Sequence, residues 1–124
     1  MIDFKFISKA EAQEIRDHLL GIPTMNRVLI LNPSDEEKVT SSGLVIPGTA
    51  QEDLPKKGVI VSVGPLDETY KEFSGPYMVG NIVTFGNYAG KKIEPLFTSG
   101  FSNKYPGKFY VLSINEILYI ESNN

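Results

Sequence analysis

The sequence predicts an all-β domain, a sandwich or a small barrel, preceded by one short amphipathic helix. Three observations lead there. From Pro23 onward, five β-rich runs alternate with Gly and Pro punctuation, the pattern of short strands in such folds. Before Pro23 the apolar residues follow a helical period. Between the first two β-runs lies a polar segment, Glu36 to Lys57, longer than the connections usual inside a compact domain and of the length that is often functional.

In chain order, Ile2, Phe4 and Phe6 alternate like a short strand. Ser8 followed by Glu11 has the spacing of a helix capping box. Ala12, Ile15 and Leu19 then share a helical face, and Gly21 with Pro23 supplies a stop. A helix of roughly three turns from Ser8 to Leu20 is expected, either covering an open edge of the domain or binding a partner. Arg27 to Leu31 is apolar on both faces, as a strand with covered sides would be. Gly58 to Gly64 gives a second strand bounded by glycines. A turn at Val79-Gly80-Asn81 leads into a third, Ile82 to Phe85. Phe109 to Ser113 and Ile117 to Ile120 supply the fourth and fifth. The division expected is an N-terminal extension, 1–21, and a β-domain, 22–124.

The polar segment contains one isolated apolar tripeptide, Leu44-Val45-Ile46, with Gly43 on one side and Pro47-Gly48 on the other. Side chains alternate along a strand, so the three cannot all enter one core from a free loop. Flanking glycines let the backbone turn them outward. The segment of about 36–57 therefore reads as a mobile arm carrying a hydrophobic anchor for a partner.

The 124 residues suffice for one domain and one core. A net charge of −3 and a pI near 5.1 argue against binding nucleic-acid phosphates, which needs a basic footprint. No apolar run approaches the about 18 residues of a membrane span, and the first residues lack the apolar centre of a signal peptide. The chain has no cysteine, which fits a reducing compartment; a cytoplasmic location is expected. His18 is the single histidine and reads as a surface residue, so neither a zinc site nor an acid–base pair is indicated. There is no phosphate loop, no dinucleotide fingerprint and no nucleophile elbow. Asp35-Glu36-Glu37 and Glu52-Asp53 read as solvated loop charge, and Lys56-Lys57 and Lys91-Lys92 as scattered surface charge. No enzyme activity, metal or cofactor is expected.

Five segments in fixed order resemble the co-chaperonins of the GroES type. Ile22-Pro23-Thr24-Met25-Asn26-Arg27-Val28 resembles the opening strand of that family, and Ser42 to Gly48 its mobile loop. Lys57 to Gly64 resembles its Gly-Val-Val strand closing in Val-Gly. Val79 to Phe85 resembles its Val-Gly-Asp-x-Val strand, with Asn81 for the acid. Ser113 to Ile120 resembles its closing segment. Pro65 to Met78 contains no clear hairpin of the kind that roofs the dome in bacterial members. In this it is similar to phage-encoded members, and a closed roof is not implied. Residues 95–107 exceed the family's usual length, and residues 1–21 have no family counterpart.

The resemblance implies a small GroES-like β-barrel with a mobile loop and an N-terminal helical extension. It further implies a homo-heptameric lid on a GroEL-type chaperonin in its ATP-bound state, enclosing unfolded substrate protein. That would take place in the cytoplasm, the host's if the chain is phage-encoded. Gly43, Leu44, Val45, Ile46, Pro47 and Gly48 would bind the chaperonin. Ile22, Val28, Ile30, Ile117 and Tyr119 would form the subunit interface through the Ile22 to Leu31 and Ile117 to Ile120 strands. Tyr88 would line the cavity. The alternative is a β-barrel interaction module, or a viral structural protein, without chaperonin binding. Zinc-dependent alcohol dehydrogenases share this barrel, but the missing Cys and His ligands argue against that class.

Overall fold

A computed structural model describes residues 6–33, 56–71, 78–86, 88–102, 104–105 and 107–123. Helix α1 spans Lys9–His18, followed by strands β1 (Arg27–Asn32), β2 (Lys56–Val63), β3 (Ile82–Phe85) and β4 (Lys91–Ile93). Then come β5 (Lys108–Ser113), one turn of 3-10 helix (Ile114–Glu116) and β6 (Ile117–Glu121). The strands form one sheet in the order β4-β5-β1-β2-β3-β6, and every neighbouring pair is antiparallel. This is the small all-β fold with a helical extension that the sequence predicts.

The local reasons are those read from the sequence, with five differences. Ser8 caps α1 reciprocally: Glu11 N–H donates to Ser8 Oγ at 3.2 Å, and Ser8 N–H donates to Glu11 Oε1 at 2.9 Å. The helix stops at His18 rather than Leu20, because Leu19 turns extended and bridges to Phe97. The opening strand begins at Arg27, not Ile22; Asn26, with φ of 59°, turns the chain just before it. Lys56 and Lys57, counted with the arm from sequence, are the first residues of β2. β4 was not expected at all: Lys91-Lys92-Ile93 is exposed throughout and owes its strand geometry to pairing with β5. Of the N-terminal strand expected at Ile2 to Phe6, residues 1–5 lie outside the described residues, and Phe6 is not in a strand.

Two apolar clusters lie on opposite faces of the sheet. On one face, Val28 and Ile30 of β1, Ile60 of β2, Val83 and Phe85 of β3, and Tyr110 and Leu112 of β5 share one cluster with Ile114. In a flat sheet β3 and β5, three strand spacings apart, would be about 14 Å from each other. The rings of Phe85 and Tyr110 nevertheless have centroids 6.2 Å apart, so the sheet curls around this inner cluster. On the outer face, Leu29 and Leu31 of β1 and Val59 and Val61 of β2 meet Ile7, Ala12 and Ile15 of the N-terminal region, with Phe109. The helix therefore supplies half the cover of β1 and β2, which explains why those strands read as apolar on both sides.

A polar knot holds the start of β1. The Asn26 side-chain amide donates to Asp67 Oδ2 at 2.8 Å, and its carbonyl oxygen accepts from Asp67 N–H at 3.0 Å. Asn26 N–H donates to Pro65 O, and Ile114 N–H donates to Asn26 O. The Asn26 bond holds the Asp67 carboxyl below its usual range. One residue thus ties the entry of β1 to the exits of β2 and β5.

Because Ile15 is fully buried between helix and sheet, Ile15→Ala should lower unfolding stability by about 2–5 kcal/mol. Urea denaturation checks this; a loss under about 1 kcal/mol would show that α1 is not part of the core.

Candidate functional site

The arm leaves after Asn32 and Pro33 at the end of β1 and returns at Lys56, the first residue of β2. These strands are antiparallel neighbours, Leu31 opposite Val59, so both roots sit at one end of the sheet. Gly43, Leu44, Val45, Ile46, Pro47 and Gly48, with residues 34–55 as a whole, lie outside the described residues. The roots themselves are well held. Asn32 is buried and pairs with Lys108. Gly107, with φ of 121°, packs so closely that a side chain there would run into the Asn32 carbonyl. At the other root, Lys57 Nζ donates to Glu121 Oε1 at 2.9 Å, and Lys56 Nζ stands 5.4 Å from the centre of the Tyr110 ring.

The residues expected at the subunit interface separate into two groups. Val28 and Ile30 are fully buried in the inner cluster, and β1 is paired on both sides, by β2 and β5. The expectation that the Ile22 to Leu31 segment offers an open strand edge is therefore corrected: β1 is a central strand, and its side chains are committed to this chain's own core. Ile22 lies outside the strand and is 70% exposed. With Leu19, Leu20, Pro23, Ile93 and Leu96 it lines an apolar groove of about 350 Å³. The sheet's outer strands are β4 and β6. On β6, Ile117 is half-buried against the inner cluster, while Leu118 and Tyr119 are 68% and 63% exposed.

Tyr88 is 82% exposed, in the turn between β3 and β4. Among the described residues no group of three His, Cys, Asp or Glu could hold a metal, and no helix is long and apolar enough to cross a membrane.

Residues 22–117 match the family model described as Chaperonin 10 Kd subunit. The chain belongs to that family. The Co-chaperonin GroES of Streptomyces coelicolor is 36% identical over 103 residues, 82% of this chain and 90% of the relative. That of Nocardioides sp. is 32% identical over 106 residues, 83% and 98% of the two chains. That of Methylobacillus flagellatus is 39% identical over 74 residues, 58% and 75%. The matched region opens at Ile22, so α1 precedes it, while the residues that hold both arm roots, except Glu121, fall inside it.

Two features of this co-chaperonin were missed from sequence. His18, read as a surface residue, places Nδ1 3.0 Å from Thr98 Oγ1 and stacks on Phe101 with ring centroids 4.3 Å apart. The described part of 95–107, a segment that had no assigned place, meets α1: Phe97 and Tyr105 pack against the outer cluster, and Tyr105 O–H donates to Glu14 Oε2 at 3.0 Å. Three aromatics, Phe97, Phe101 and Tyr105, in a stretch with no strand pattern were the available signal.

Partial desolvation, and then the bond to Glu14, push the Tyr105 phenol up to about 12, above the ordinary value of about 10. A raised pKa means that this tie is fully present below pH of about 10 and is lost as pH rises through about 12. In a pH-jump titration followed by phenolate absorbance, Tyr105→Phe should remove one phenol that titrates at about 12. An unchanged titration curve would contradict the assignment.

Proposed function

We propose that this co-chaperonin caps a GroEL-type chaperonin in its ATP-bound state, as a homo-heptameric ring that encloses unfolded substrate protein in the cytoplasm. The observation that carries the reading is the glycine-flanked tripeptide Leu44-Val45-Ile46 in a polar segment whose two ends are firmly held on neighbouring strands. A mobile arm on a rigid root can search for a partner without losing its register on the body.

The magnitudes suit a lid that must also leave. Fully burying each of the three aliphatic side chains contributes roughly 1.5–3 kcal/mol. Ordering a free segment removes on the order of 2–5 kcal/mol, so one arm binds weakly. Arms on one ring make every later contact intramolecular, and such linkage raises avidity by about 10²–10⁴. Weak single arms then release together when the chaperonin changes state.

The ring needs unlike surfaces that meet head to tail. Of the two outer strands, β4 carries Lys91 and Lys92, both exposed, and lysines on an edge discourage further pairing. β6 presents Leu118 and Tyr119, and the groove around Ile22 offers apolar surface elsewhere on the chain. The interface accordingly joins β6, with Ile117 and Tyr119, to the Ile22 region of the next subunit. The number seven comes from the family resemblance. Tyr88, exposed after β3, faces the enclosed chamber.

Two experiments test this reading. Replacing Leu44, Val45 and Ile46 together with Ser should abolish ATP-dependent refolding of a stringent substrate while native mass still shows the ring. Retained capping would remove the tripeptide as anchor; loss of the ring as well would make it structural. Leu118→Lys should instead convert the ring to monomers at micromolar concentration, with the thermal transition of the subunit nearly unchanged because the side chain is exposed. A ring of wild-type mass would exclude β6 from the interface.

A further inference from the structure

Helix α1 lies across the two strands that bear the arm. Ile7, Ala12 and Ile15 seat on Leu29 and Leu31 of β1 and on Val59 and Val61 of β2. Leu31 immediately precedes the root at Asn32-Pro33, and Val59 is three residues from the root at Lys56. The helix end also grips the segment after β4. Leu20 N–H donates to Leu96 O at 3.0 Å and Thr98 N–H to His18 O at 2.8 Å. The His18–Phe101 stack and the Tyr105–Glu14 hydrogen bond continue this contact along the helix. Phe101 in turn meets Phe97, and Phe97 meets Phe109 of β5, at centroid distances of 5.0 and 5.9 Å. Two residues beyond Tyr105, Gly107 closes on the Asn32 carbonyl and stands 2.8 Å from Pro33 Cα at its absent Cβ position. An unbroken series of contacts thus runs from the N-terminal helix to the residue at which β1 releases the arm.

We propose that α1 with Phe97, Phe101, Tyr105 and Gly107 forms a brace that stiffens the arm's root, with Phe101 and Gly107 as positioning residues, and that this stiffness sets the affinity for the chaperonin. The inference rests on the reading of residues 34–55 as the chaperonin-binding arm. Its physical basis is effective concentration, which falls as about the −3/2 power of the free length once a linker exceeds its span. If the ends of β1 and β2 fray, the free stem grows. A stem longer by about half loses roughly twofold in effective concentration, and the loss compounds over each later arm to on the order of tenfold to fiftyfold. Neither Phe101 nor Gly107 belongs to the anchor tripeptide, so the brace acts through the geometry of the root. It also assigns one role to two segments that lie apart in sequence.

The test severs the brace and leaves the arm and the inner cluster intact. Phe101→Ala is compared with Val83→Ala, an inner-cluster change, under urea concentrations that match their global stability. Native mass establishes the ring, amide exchange reads the roots at Asn32 and Lys57, and surface plasmon resonance reads binding to an ATP-loaded GroEL-type chaperonin. The expected result is faster exchange at both roots and about tenfold to fiftyfold weaker binding for Phe101→Ala, with Val83→Ala unchanged in both. Unchanged exchange at the roots overturns the proposal, as does a loss of affinity no greater than that of Val83→Ala. Should Phe101→Ala fail to fold, Tyr105→Phe, which removes one hydroxyl, must show the same two effects at about twofold, or the brace is rejected. A synthetic peptide of residues 34–55 keeps the two readings distinct. If the peptide at millimolar concentration, where a single weak arm still binds, does not bind the chaperonin, the arm reading fails, and the exchange result still decides whether the brace exists.

Discussion

The structure depends on strands β1 and β2 being apolar on both faces. Such strands are stable only when each face is covered, and the two covers are built differently. The inner one is made by the sheet itself, which curls until Phe85 and Tyr110 meet. The outer one is made by a helix from the N-terminal extension and an excursion between β4 and β5. Remove either cover and Leu29, Leu31, Val59 and Val61, or Val28, Ile30 and Ile60, would face water. The helix is therefore a constitutive layer of this subunit, although it precedes the region that matches the family.

The same requirement places function at the margins. With both faces of the central strands occupied, surface for partners is left at the strand ends and the outer strands. The residues proposed as the arm connect the end of β1 to the start of β2. Exposed apolar side chains lie on β6 and around Ile22, with Tyr88 in the turn after β3. Fixing the centre and leaving the periphery to recognition is a division of labour suited to a lid, whose body must stay rigid while its contacts form and break.

Much of the fold was legible because it is local. The capping box at Ser8 and Glu11, the glycine-bounded second strand and the turn before β3 each depend on residues a few positions apart. What was not legible depends on partners far away. Lys91-Lys92-Ile93 has no strand pattern of its own and becomes β4 through β5. His18 looks like a surface residue until Thr98 and Phe101, some eighty residues on, come to it. The assignment of Val28 and Ile30 to an interface failed for a related reason: periodicity reveals that a run is a strand, but not whether that strand is central. For the candidate site, composition alone proposes Leu44-Val45-Ile46 as an anchor, and these residues lie outside the described ones, whereas the hold of Gly107 on Asn32 left no trace beyond a glycine after a proline.

The register of β1 with β5, Arg27 opposite Ser113 and Asn32 opposite Lys108, has a consequence for how the subunit is made. At synthesis rates of about 5–20 residues per second, β1 emerges on the order of 4–16 s before the strand that completes its pairing. Until β2 follows, its apolar faces have no strand to join, and the non-local pairing with β5 is slow in any case. The nearest apolar surface already synthesised is that of α1, with Ala12 and Ile15 awaiting the same residues of β1 that they cover in the finished fold. A helix made just before β1 can shield the nascent strand, so this co-chaperonin carries, ahead of its first strand, a means of protecting itself while it is being born.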